Sequence, residues 1–76
     1  MVTDLAALPT GSKGVVVELS GGMGMRRKLD AMGVRPGKVI QKVSSQLMAG
    51  PVTVLIDGRQ VAMGRGIAGR VRVRTG

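Results

Sequence analysis

The stretch Val52-Thr53-Val54-Leu55-Ile56-Asp57-Gly58-Arg59-Gln60-Val61-Ala62-Met63 decides the fold class. Val52, Val54 and Ile56 occupy alternate positions, so in an extended chain they share one face. Asp57-Gly58 is the dipeptide favoured in two-residue hairpin turns, because both central positions of such a turn need positive φ. Val61 and Met63 then return the apolar face on a second strand. This is an antiparallel hairpin with one face to bury, and no other local signal in the chain is as strong.

Strand patterns continue on both sides of it. Downstream, Arg70 to Arg74 places Val71 and Val73 on one face and Arg70, Arg72 and Arg74 on the other. Upstream, Lys38 to Leu47 reads as a strand whose apolar positions Val39, Ile40, Val43 and Leu47 break strict alternation, which predicts a bulge or strong bend. Val15, Val17 and Leu19 alternate with Val16 and Glu18 after the glycine-containing turn at residues 11–14. Gly50-Pro51 opens the hairpin unit.

Between the strands at 15–19 and 38–47 the period changes. From Gly22 to Met32 the apolar residues Met25, Leu29 and Met32 fall at i, i+4 and i+7, with Arg26, Arg27, Lys28 and Asp30 mostly elsewhere, which describes an amphipathic helix. Gly33 suits the left-handed residue that ends a helix, Val34 folds back on the last turn, and Pro36-Gly37 makes the following tight turn. At the N-terminus Thr3 and Asp4 cap a single helical turn, Leu5 to Leu8, ended by Pro9, and Leu5 and Leu8 plug the core. Five short strands, one helix after the first of them and glycine at most joints predict a small β-barrel, closed or partly open.

Composition limits what such a barrel does. With 76 residues the chain forms one domain, 1–76, because a domain near this size buries only about 60% of its unfolded surface and has none to spare for a second core. It contains no cysteine, histidine or aromatic residue, so disulfides and imidazole or thiolate metal ligands are excluded and aliphatic packing carries stability. Nothing in residues 1–11 resembles a signal peptide, and no apolar run reaches the roughly 18 residues of a membrane span, which points to the cytoplasm. Twelve Lys and Arg against four Asp and Glu give a net charge of +8, an attraction for anions: nucleic acid, anionic lipid or an acidic protein face.

Motifs of chemistry fail in context. Gly64-Arg65-Gly66-Ile67-Ala68-Gly69 matches G-x-G-x-x-G, but the chain lacks the remaining βαβ unit and the acidic residue about 20 positions on. The segment reads instead as a glycine-rich connection into the last strand. Gly33 to Lys38 is one residue too short for a phosphate loop, and Val39 stands where Ser or Thr would hold magnesium. Nucleophilic catalysis needs a base beside Ser or Thr, and the only candidates are scattered lysines and the isolated Asp4, Glu18, Asp30 and Asp57, so no enzyme activity and no resident cofactor or metal site is expected. Arg26-Arg27-Lys28 and the Arg70, Arg72, Arg74 stripe suit phosphates, yet no aromatic ring is available on which bases would stack. Met23, Met25 and Met32 group on or beside the helix. Methionine is both gap filler and adaptable docking surface, and here Met25 and Met32 are expected inward and Met23 outward.

The order L-x-x-L-P-x-G at Leu5 to Gly11, R-R-K-L-D-A-M-G-V-R-P-G at Arg26 to Gly37, G-P-V-T-V at Gly50 to Val54 and A-G-R-V-R-V at Ala68 to Val73 resembles the FeoA family over nearly the whole chain. The resemblance implies an SH3-like barrel and a small cytoplasmic protein that accompanies FeoB, a ferrous iron permease with a cytoplasmic GTP-binding domain. It thereby implies an accessory role in ferrous iron uptake. DtxR-type repressors carry a similar domain at their C-terminus, but this chain lacks a DNA-binding portion before it. Two positions depart from the family pattern: Ile67, where an acidic residue is common, and Gly64, where a basic or polar one is.

The binding surface expected on these grounds is Met23, Met25, Arg26, Arg27 and Met32, presented by the helix to an acidic, partly apolar partner face. Nearby anionic membrane would hold so basic a protein at its inner surface. Two other readings predict different binding: a basic nucleic-acid-binding barrel, with steeply salt-dependent affinity, and a direct iron sensor, which requires the dispersed carboxylates to converge.

Overall fold

The computed structural model describes residues 1–45 and 50–76. The chain runs β1 (Val2–Asp4), β2 (Lys13–Leu19), α1 (Met23–Ala31), β3 (Val39–Ser45), β4 (Val52–Ile56), β5 (Arg59–Met63), α2 (Arg65–Ala68) and β6 (Val71–Arg74). The six strands form one antiparallel sheet in the order β1-β6-β2-β3-β4-β5.

The hairpin forms as its sequence demands. Asp57 and Gly58 have φ of 51° and 75°, and Ile56 pairs with Arg59 directly across the turn. Val52, Val54, Ile56 and Met63 are buried. The helix also starts and stops where expected. Gly33 (φ 86°) donates its N–H to the Asp30 carbonyl at 2.9 Å, and Val34 donates to the Leu29 carbonyl at 2.9 Å. These two bonds satisfy carbonyls that a helix end would otherwise orphan, and they swing Val34 into the core.

Three expectations need correction. The sheet has six strands, not five. Residues 2–4 form a short strand paired with β6, and only after it does Asp4 cap the turn, accepting from the Ala7 N–H through Oδ1 at 2.9 Å while its carbonyl accepts from Leu8 N–H at 2.9 Å. A three-residue segment has too little pattern to reveal a strand; β6 creates it by offering an unpaired backbone edge. Nor is the barrel closed: β1 and β5 are the two ends of the strand order and do not pair with each other among the described residues. Finally, the glycine-rich connection contains a helical turn, α2, whose Ala68 N–H donates to the Gly64 carbonyl at 2.9 Å.

The phase of β2 differs too. Alternation put Val15, Val17 and Leu19 together, but the pairing with β6 shifts register between Val16 and Glu18. Val16 and Leu19 are consequently buried and Val17 is exposed. The bulge foreseen in β3 falls between Lys42 and Ser44. Around it Ile40 turns inward, while Val39 and Val43 face out. Leu47, assigned to this strand from its sequence, lies outside the described residues.

The inner faces of the strands, the turn at Leu5 and Leu8, α1 through Leu29 and α2 through Ala68 close on one aliphatic cluster. Lys42 is the one charged residue in it among those described, 3% exposed. Its ammonium donates to the Ala6 carbonyl at 2.9 Å, and its main chain bonds Gly11 and Ser12 at 2.6 and 3.0 Å. Lys42 thus fastens the N-terminal turn to the sheet.

Candidate docking surface

Helix α1 packs on the core with Leu29 fully buried and Met25 and Met32 half-buried against it. The opposite side of the helix carries Met23, Arg26, Arg27 and Asp30 at i, i+3, i+4 and i+7, a single exposed stripe. The five residues singled out from the sequence therefore separate. Met23, Arg26 and Arg27 come together at the surface, Met23 being 67% exposed. Met25 and Met32 lie on the other side, where they seat the helix on its core.

Nothing in helix stability explains the outward stripe. Gly22 is the N-cap without a side-chain cap bond, and the first turn holds no acidic residue. Arg26, at the end of that turn, faces the positive pole of the helix dipole, an arrangement that costs a few tenths of a kcal/mol to about 1 kcal/mol. An exposed methionine adds nothing to the fold.

The stripe borders a shallow concavity of about 330 Å³ whose walls include Leu19, Met23, Arg26, Arg27 and Pro36. A neighbouring concavity of about 300 Å³ shares Leu19, Arg26 and Pro36 and reaches Val17 and the acidic Glu18. Asp30 is the acid within the first, and Arg35 holds it at 2.7 Å, which leaves the arginines on the helix to set the local sign. The surface is basic at its rim and apolar at its floor.

Leu19 and Pro36 were not singled out for this surface from the sequence. Ser20 donates its N–H to the Arg70 carbonyl at 2.9 Å, so the start of β6 lies beside the loop that leads into α1. A Cβ placed on Gly21 would come within 3.4 Å of Arg70 Nη1. Fifty residues separate the two in sequence, and no local pattern signals their meeting.

The other chemistry-bearing residues stay apart. Asp57 pairs with Lys38 at 3.0 Å, Asp30 with Arg35, and Asp4 is a cap. Among the described residues no three acidic side chains gather as a metal-holding group, and no helix is long and apolar enough to cross a membrane. Ile67 is packed against the core and Gly64 is the N-cap of α2. Burial lowers the Lys42 ammonium pKa below the ordinary 10.5, Arg65 acts in the same direction, and Asp4 opposes them.

A six-stranded antiparallel sheet with two short helices defines a small, mainly β domain of the SH3-like class. Residues 3–75 match the FeoA domain, and the chain belongs to the FeoA family, non-enzymatic accessory proteins of ferrous iron transport. A protein of Methanocaldococcus jannaschii assigned as Fe(2+) transport protein A is 30% identical over 69 residues, covering 91% of this chain and 82% of that one. The crystal structure of an iron uptake regulatory protein, FeoA, superimposes with a TM-score of 0.89 at 43% identity, over 97% of this chain and 96% of that one. A manganese-dependent transcriptional repressor matches with a TM-score of 0.87 at 25% identity, over 95% of this chain but 40% of its own length.

Proposed function

We propose that this protein acts in the cytoplasm in ferrous iron uptake by docking the outward stripe of α1 onto the cytoplasmic GTP-binding part of a FeoB-type permease. The observation that carries the reading is the exposed Met23 on the same outward stripe as Arg26 and Arg27, on a helix whose packing face is complete without them. Methionine adapts to an uneven apolar partner surface, and the arginines steer the encounter with an acidic one. Membership of the FeoA family supports the transport context. The net charge of +8 adds attraction to an anionic bilayer, about 1 kcal/mol per basic residue near the surface, which favours a position at the inner face of the membrane without insertion.

The test is capture of the purified permease GTP-binding domain by the wild-type protein and by an Arg26→Glu/Arg27→Glu variant. A loss of affinity of about tenfold or more is expected, the equivalent of 1.4 kcal/mol. Equal capture by both proteins, with the variant's thermal melt unchanged, removes α1 from the interface.

A further inference from the structure

The outer face of the sheet carries a second surface, made of residues that α1 docking does not use. Strand register arranges its side chains in cross-strand rows. In one row Arg72 stands between Asp4 on β1 and Glu18 on β2, with an acid on each side. In the next row Arg74 stands between Val2 and Val15, and Val39 on β3 extends the line. Arg74 makes no ion pair among the described residues.

Val39 is 58% exposed and Val2 47%. Their exposure follows from the pleat, because the adjacent positions Ile40, Val16 and Val73 fill the core. β-Branched residues suit a strand anywhere, but three in one solvent-facing row around an unpaired cation are not required by the fold. Lys13, paired with Gln41 one step along, adds a second positive charge. Lys13, Val15, Val39 and Arg74, together with Gly14, Thr75 and Gly76, line a concavity of about 340 Å³.

We infer that this row is a docking site for an extended segment of a partner protein in which an aliphatic side chain neighbours a carboxylate. Val15 and Val39 receive the aliphatic group. Arg74 takes the carboxylate, for which its planar guanidinium offers two parallel donors and loses little hydration. The concave floor favours a peptide over a bilayer: a single side chain reaches into it, whereas a flat lipid surface meets only its rim.

The test is a titration of the 15N-labelled protein with the peptide acetyl-Glu-Leu-Glu-Leu-amide, followed by amide shifts, with acetyl-Lys-Leu-Lys-Leu-amide as charge-reversed control. Saturable shifts are expected at Lys13 to Val15, Val39 to Gln41 and Arg74, with affinity about tenfold weaker for the lysine peptide. Arg74→Glu should lose a similar factor, Val39→Ser should weaken binding without a charge change, and Arg26→Glu/Arg27→Glu should bind as wild type. All three sites are exposed, and unchanged thermal melts verify that the variants fold. The inference is overturned by equal binding of the two peptides, by shifts confined to α1, or by no saturation at millimolar peptide. It is overturned equally if only phosphatidylglycerol vesicles broaden this face, which would assign it to lipid. The permease capture experiment is independent of every one of these results.

Discussion

One helix offers the same substitution twice with opposite expected signs. Gly24 lies inside α1, and a Cβ added there meets nothing within 4 Å. Alanine at that position restricts the unfolded chain and fits the helix, a gain of about 0.8–1 kcal/mol. Gly33 lies one residue beyond the C-cap at φ 86°, where any Cβ crowds the following carbonyl and costs about 1–2 kcal/mol. The new methyl would also come within 2.8 Å of Arg59 Nη2. That guanidinium is the end of a flexible chain and can move, at the expense of a long 3.5 Å contact with the Met32 carbonyl. Gly24→Ala and Gly33→Ala should therefore differ by roughly 2–3 kcal/mol. For a domain of this size each kcal/mol moves Tm by about 4–8 °C. With no aromatic residue for fluorescence, far-UV circular dichroism during urea and thermal unfolding is the assay. Gly33→Asn provides the internal check, since asparagine tolerates the left-handed region and should cost less than alanine. Shifts of Gly24→Ala and Gly33→Ala in the same direction, or a Gly33→Ala change below about 0.5 kcal/mol, would refute the reasoning.

Two further outcomes concern the hairpin and the buried lysine. Asp57→Ala should cost about 1 kcal/mol, because Asp57 holds φ 51°, while Asp57→Asn should be close to neutral despite loss of the exposed Lys38 ion pair; equal destabilisation in urea titrations would assign the effect to the ion pair instead. Lys42 has a folded-state pKa below its unfolded value of 10.5, so the folded form binds fewer protons in the window between the two. Stability relative to Lys42→Met should accordingly rise as pH climbs through that window to 10.5 and fall back as pH drops through the folded pKa. A flat difference in urea midpoint across alkaline pH would show that Lys42 titrates alike in both states.

Much of this molecule was legible residue by residue, because its rules act within a few positions. Asp57-Gly58 forces a two-residue hairpin through the sign of φ, and Met32-Gly33-Val34 ends α1 through two backbone bonds to Asp30 and Leu29. The seating of Met25 and Met32 and the exposure of Met23 follow from a period of 3.6. Other features depended on partners remote in sequence. β1 is a strand because β6 supplies its hydrogen bonds. Val16 rather than Val17 enters the core because the β2–β6 register shifts between Val16 and Glu18, and periodicity carries no information about where a neighbouring strand inserts a bulge. Lys42 is buried because the N-terminal turn folds over it and gives it the Ala6 carbonyl. Arg74 acquires its row of valines through the same long-range pairing. Local sterics, written in neighbouring residues, determined the turns, the helix and its faces; the strand order, its register and the make-up of both surfaces were decided by backbone hydrogen bonds that exist only once distant segments meet.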